Sequence, residues 1–219
     1  SLTIPNGVTN IAESAFENCK SIYEFVLPNG ISFIGNNSFR GCSNLVEMII
    51  PMKTKRIGES AFRDCISMKK LVIENSCIKI GERAFENCSI LEDITLPSGL
   101  TEIYGGVFNS CKSLKQINLP EKLTILGESA FSDCDQLENV TIPVSVTKID
   151  DLAFNGCTNL KTVKLQEGLK KIEESLNVDV LQEVRKDLTG KKSDLSAVKN
   201  CCRVSKEGSS ICIFVEGNR

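Results

Sequence analysis

Glu128-Ser129-Ala130-Phe131-Ser132-Asp133-Cys134 is one copy of a unit that recurs along most of the chain. Phe16, Phe39, Phe62, Phe85, Phe108, Phe131 and Phe154 stand 23 residues apart. A Cys follows each at the third position: Cys19, Cys42, Cys65, Cys88, Cys111, Cys134 and Cys157. Seven copies without insertion or deletion define an internal repeat. A fixed period in this range is the signature of a solenoid, whose units bury their apolar faces only against one another.

Outward from each Phe, further columns keep the same register. Six residues on stand Ile22, Leu45, Met68, Leu91, Leu114, Leu137 and Leu160. An apolar pair follows at the ninth and eleventh positions, as in Met48 and Ile50 or Val140 and Ile142. The pair alternates with period two, so both side chains point to one face of a short strand. Pro closes most copies (Pro28, Pro51, Pro97, Pro120, Pro143), and without an N–H it ends the ladder. Ile34, Ile57, Ile80, Ile103, Leu126, Ile149 and Ile172 form the last apolar column. The Phe-to-Cys interval matches one helical or 3₁₀ turn. Stacked units place parallel strands about 4.8 Å apart over a continuous core.

Written out, the pattern is L-x-x-I-x-I-P-x-x-V-x-x-I-G-x-x-A-F-x-x-C. It resembles the leucine-rich repeats of the BspA-like class over about residues 1–172. Departures are single positions: Glu74 and Gln166 for Pro, Cys77 for Val, and Tyr104, Asp150 and Glu173 for Gly. The resemblance implies a leucine-rich-repeat solenoid used for binding, often in adhesion at the surface of bacteria and mucosal protozoa, with no catalytic motif. The expected architecture is a parallel β-sheet on the concave face, short helical or 3₁₀ turns on the convex face and a C-terminal helical cap. Residues 1–172 form the array, a partial opening repeat and seven A-F-x-x-C units. Because Leu2-Thr3-Ile4-Pro5 already matches a repeat, the sequence is expected to be a piece of a longer chain.

The repeat stops where Asn177 and Val180 replace the next Phe and Cys. Residues 173–219 are expected to hold the cap helix, from about Glu174 to Leu188, where Leu176, Val180, Val184 and Leu188 form an i, i+4 stripe. A possible hairpin follows, with strands at Val198–Val204 and Ile211–Val215.

The cysteine column lacks the clustered spacing of zinc sites, and stacked members have poor disulfide geometry. It reads as a ladder of small buried hydrophobes. Cys77 joins the core. Cys201, Cys202 and Cys212 lie outside the array; a Cys202–Cys212 or Cys201–Cys212 bridge would staple the hairpin, or the adjacent pair occupies two faces of one strand.

The outward strand positions carry the candidate binding site. Val26, Ile49 and Val72 occupy the tenth position after successive Phe residues, with Tyr23 and Val46 at the seventh and Met52 at the thirteenth. Together they form an apolar patch of the kind that marks interaction sites, set against the simpler reading that Val and Ile suit strands. Further along, Lys69, Glu92, Lys115, Glu138 and Lys161 alternate in sign at the seventh position, a ladder of exposed pairs.

Composition bounds the rest. Net charge is −2 and His is absent, which argues against nucleic acid and removes the commonest general base and metal ligand. No apolar run is long enough to span a bilayer. No catalytic residue, metal or cofactor is expected. The function read from these features is a non-catalytic protein-binding module, secreted or at the cell surface, taking a protein ligand such as a host matrix or surface protein. The alternative is an intracellular scaffold or regulatory repeat protein in the cytoplasm, which the many thiols also fit. The sequence does not fix the oligomeric state.

Overall fold

A computed structural model describes residues 4–74, 77, 79–165, 171–172, 202–203 and 210–211. The chain winds as a parallel β-solenoid whose registers advance by one 23-residue repeat per turn, as in Ile34 beside Ile57 and Ile57 beside Ile80. Each turn has three sides.

The first side is the apolar-x-apolar strand. Strands β3 (Glu47–Ile50), β5 (Lys70–Ile73) and β7 (Asp93–Thr95) form one parallel sheet, and β10 (Asn139–Ile142) with β12 (Thr162–Leu165) another. Burial alternates along β3 and β10, with Met48, Ile50, Val140 and Ile142 inside. Pro51 and Pro143 end their strands; at the same position Glu74 has an N–H and donates it to the Ile50 carbonyl at 3.2 Å, adding one bond to the ladder.

The second side was not foreseen. The dipeptide before the Gly position of each repeat, occupied by Gly in half the copies, also pairs in parallel. It gives β1 (Asn10–Ile11), β2 (Phe33–Ile34), β4 (Arg56–Ile57) and β6 (Lys79–Ile80) in one sheet, and β8 (Glu102–Ile103), β9 (Ile125–Leu126), β11 (Lys148–Ile149) and β13 (Lys171–Ile172) in a second. Two residues are too few to show a period in sequence. The Gly that follows is required by closeness: a Cβ at Gly58 would lie 2.5 Å from the Asn36 nitrogen, and one at Gly81 2.5 Å from the Glu59 nitrogen.

The third side is the A-F-x-x-C segment, where the expectation of helical or 3₁₀ turns is met only by single i→i−3 bonds. Among the described residues there is no helix. Each segment has left-handed residues two before and two after its Phe, such as Ser60 (φ 52°) and Asp64 (φ 61°), or Gly106 and Ser110. A left-handed residue breaks a right-handed helical run, so the i→i−3 bond from Cys65 N–H to Phe62 O stays a single turn. The backbone instead bonds between turns. The N–H groups of Ser60, Phe62 and Asp64 donate to the carbonyls of Glu82, Ala84 and Glu86 in the next turn at 2.8–2.9 Å. The same three forward-directed bonds recur from Ser14, Phe16 and Asn18 through Ser129, Phe131 and Asp133.

The core lies between the three sides. Phe39, Phe62, Phe85, Phe108, Phe131 and Phe154 are fully buried and stack with centroids 5.1–5.7 Å apart. Beside them runs the thiol column. Each Cys Sγ from Cys42 to Cys157 donates to the carbonyl of the Phe one turn earlier, for example Cys88 to Phe62 at 3.3 Å and Cys157 to Phe131 at 3.0 Å. Burial pushes the Cys42 and Cys77 thiols up to about 11 and Cys111 to about 12, and Cys65, Cys88 and Cys134 well above the ordinary range. The eight cysteines between residues 4 and 165 are all free thiols.

The proposed cap helix at 174–188 lies outside the described residues. At the far end, β14 (Cys202–Arg203) and β15 (Ser210–Ile211) pair antiparallel with Cys202 opposite Ile211. Cys201 and Cys212, and with them the candidate disulfide, lie outside the described residues.

Candidate interaction surface

The outward positions of the first side stand as the alternation requires. Val26 is 81% exposed and Ile49 56%, each flanked by buried neighbours, Phe25 and Leu27 or Met48 and Ile50. Tyr23, Val46 and Met52 are also exposed. These five are most of the eight exposed large hydrophobic side chains among the described residues, so the apolar surface is concentrated in the first turns. The register sets Val72, half-buried, directly beside Ile49, and Thr95 beyond it ends the apolar row.

Between residues 24–29 and β3 runs a groove of about 380 Å³. Val26, Ile49 and Pro51 line it together with Glu24, Glu47 and Glu74. Tyr23, Val46, Met52 and Val72 do not line it, so the groove holds two of the six residues singled out from sequence. The three carboxylates were missed. Glu24 and Glu47 share the face of Val26 and Ile49 by period two, and that signal was available in the alternation. Glu74 had appeared only as a lapse from Pro.

The groove exists because the sheet is interrupted there. Residues 24–28 occupy the strand position of their repeat but form no strand. Val46 N–H bonds Tyr23 O at 3.2 Å, and no further backbone bond among the described residues joins 24–28 to 47–50. A similar gap of about 600 Å³ lies between 115–119 and 138–143, where the ladder is reduced to the Gln116–Asn139 bridge. Its lining carries Lys115, Glu121 and Glu138, both signs, with Asn118 and Thr141 in place of Val26 and Ile49.

The charge column at the seventh position closes at one member: Lys161 Nζ lies 3.0 Å from Glu138 Oε2, while Lys69, Glu92 and Lys115 form no ion pair among the described residues. Exposed lysines gain too little from pairing to hold one rotamer each. The denser ion-pair network is on the third side, linking Glu17, Arg40, Asp64, Arg63, Glu86 and Arg83 across four turns. Among the described residues no group of His, Cys, Asp and Glu has the arrangement to hold a metal ion, and no helix is long and apolar enough to cross a membrane.

Such geometry defines a class, a parallel β-solenoid of leucine-rich type built on a 23-residue repeat. The chain belongs to the BspA type leucine-rich repeat family, whose model matches residues 1–105 and 79–179 in six copies. It is similar to the solved structure of a leucine rich cell surface protein from Faecalibacterium prausnitzii A2-165, with 31% identity and a TM-score of 0.57, over 74% of this chain and 52% of that one. It is also similar to a leucine-rich repeat protein from Bacteroides ovatus ATCC 8483, with 29% identity and a TM-score of 0.60, over 78% of this chain and 54% of that one. The chain thus matches about half the length of each. No curated protein matches this sequence.

Proposed function

We propose that the chain is a non-catalytic recognition module, displayed at a cell surface, that holds a protein ligand on the outward face of its first turns. The observation that carries this reading is the concentration of exposed Tyr23, Val26, Val46, Ile49 and Met52 on a rigid repeat scaffold. A fixed backbone with bulky apolar side chains in water offers a partner burial at little ordering cost. The likeness to a protein described as a leucine rich cell surface protein supports the location. A host matrix or surface protein, and adhesion as the outcome, fit both.

The test is capture from extracellular-matrix and cell-surface material, with wild type beside Ile49→Glu and circular dichroism showing both folded. Capture by wild type and its loss in the variant is the expected result. Equal capture by both proteins removes the apolar face from the interaction.

A further inference from the structure

We propose that Asn29 is a site of spontaneous modification: its side chain cyclises onto the Gly30 main-chain nitrogen and opens to aspartate or isoaspartate, which places a new carboxylate on the recognition face. The chemistry stands without the recognition reading above; its effect on ligand capture rests on that reading.

The sequence holds Asn-Gly three times, at Asn6-Gly7, Asn29-Gly30 and Asn155-Gly156. In each pair the second residue has no side chain to bar the approach of the carboxamide, and its backbone turns freely. Reaction then depends on whether the fold lets the joining peptide rotate. The first two pairs sit at the corner that leads from the first side to the second. Val8 N–H donates to Pro5 O at 3.0 Å and Ile31 N–H to Pro28 O at 3.1 Å, so each corner is an i→i+3 turn with Asn-Gly at its centre. Asn6, Gly7 and Asn29 are exposed, and neither Asn29 nor Gly30 forms a hydrogen bond among the described residues. The same two places hold Met52-Lys53, Ser98-Gly99, Glu121-Lys122 and Val144-Ser145 in other turns.

Asn155-Gly156 lies on the third side, where the stack holds it. Asn155 N–H donates to Leu152 O at 3.0 Å, and its carbonyl accepts from Asp133 N–H at 2.7 Å. Gly156 is left-handed, at φ 72°, and lies against the Asp133 carboxylate with no room for a Cβ between them. Cyclisation here must turn a peptide that is bonded to the preceding turn of the solenoid.

The step balances with water alone. The Gly30 nitrogen gives up its proton and bonds to the side-chain carbonyl carbon of Asn29. The carbon–nitrogen bond of the carboxamide breaks, and ammonia leaves with that proton. Water then opens the cyclic imide, at one carbonyl to aspartate and at the other to isoaspartate. Asn29 lines the groove with Glu24, Glu47 and Glu74, so the product adds negative charge to an acidic lining. A partner fitted to the neutral amide meets an unmatched carboxylate. Isoaspartate also lengthens the main chain of the turn by one carbon, where Gly30 already sits so close to the first turn that a Cβ would lie 3.3 Å from the Asn6 and Val8 carbonyl oxygens.

The experiment incubates the folded whole chain in mildly alkaline buffer, which favours loss of the amide proton, and follows amide, aspartate and isoaspartate at the three sites by peptide mass spectrometry. Asn6 and Asn29 are expected to convert about tenfold faster than Asn155 or more, since Asn155 must first give up a main-chain bond. In urea the three rates should converge, because Gly follows each Asn. Absence of conversion at Asn29, conversion of Asn155 as fast as Asn29 in the folded chain, or a rate ratio that persists in urea overturns the proposal. Capture from extracellular-matrix and cell-surface material is then compared for fresh wild type, converted wild type and Asn29→Gln incubated for the same time. Loss confined to converted wild type is the expected result. Equal capture by all three overturns the placing of the product on the recognition face. Failure of fresh wild type to capture anything refutes the recognition reading alone, and the modification is then decided by its rates.

Discussion

Ser38 stands in the small-residue position before Phe39, where Ala61, Ala84, Ala130 and Ala153 stand in other turns. It is fully buried, and its Oγ has no hydrogen-bond partner among the described residues. A buried unpaired hydroxyl costs about 1–3 kcal/mol. Ser38→Ala is therefore expected to raise stability by about 1 kcal/mol, read as a higher urea midpoint at unchanged slope. Thr54 shows the opposite case: also buried where other turns carry Ile31, Leu100 or Val146, it donates its hydroxyl to the Ile31 carbonyl at 2.9 Å. The thiols make a pH prediction. Their folded pKa lies above the ordinary 9.0, at about 11 for Cys42 and about 12 for Cys111, because burial penalises the thiolate. The stability they contribute is fully present below about pH 9 and is lost as pH rises through 11 and 12, since the unfolded chain releases these protons first. Cys111→Ala should lower stability at pH 7 yet lose less between pH 7 and pH 10 than wild type does. An unchanged pH slope would count against the thiol as the titrating group.

Single elements decide how turns fit together. At Gly58 the preceding turn comes so close that a methyl group would lie 2.5 Å from the Asn36 nitrogen and 2.6 Å from the Gly35 carbon. Both are backbone and neither yields without shifting a whole turn. Gly58→Ala should cost about 2 kcal/mol or more, measured by urea unfolding. A loss under half of that would mean the turns slide more easily than their bonding implies. Leu152 marks the converse situation. It holds φ at 58° where other turns use Ser, Asn, Arg or Gly, and its side chain is 42% exposed. Leu152→Gly is expected to stabilise by about 1 kcal/mol, the left-handed penalty less the added chain entropy. These backbone demands were half legible in the sequence. The Gly column was visible, but its reason, closeness of the previous turn, belongs to the stacked state. The left-handed positions were hidden, because Ser, Asn, Asp, Arg and Leu all fill them. The A-F-x-x-C spacing admitted a helical run, and the left-handed residues that hold it to a single i→i−3 bond leave no mark in the pattern.

At the scale of the whole molecule, the repeat columns transmitted the architecture almost intact. Phe, Cys, Leu and Ile at fixed intervals are enough to specify the core, because each packs against its own copy one turn away. Val26 and Ile49 were legible for the same reason: a strand with both neighbours buried must turn the residue between them outward. The groove was not legible. It depends on residues 24–28 failing to pair, and their sequence Glu24-Phe25-Val26-Leu27-Pro28 looks like any other copy. Since each turn touches mainly its neighbours, stability is a chain of interfaces. Phe108→Ala removes a ring stacked on Phe85 at 5.7 Å and on Phe131 at 5.4 Å, and should cost about 3–5 kcal/mol. Cutting one link of such a chain should split unfolding into two transitions, followed by circular dichroism in urea. A single transition of unaltered slope would show that coupling reaches past nearest neighbours.

The forward-directed bonds of the third side have an electrical consequence. In a sheet, successive peptide groups point opposite ways and their dipoles cancel. Here three peptide groups per turn point the same way, N–H ahead and C=O behind, from Ser14 through Asp133. Their moments, about 3.5 D each, add along the solenoid axis as they do in an α-helix, but with the sense reversed. The third side is therefore polarised, negative toward its first turn and positive toward its last, while backward-directed N–H groups such as those of Lys55, Gly58 and Lys69 oppose it on the other two sides. A carboxylate is favoured against the third side of the last turn and a cation against that of the first, so the two ends of this one side are electrically distinct.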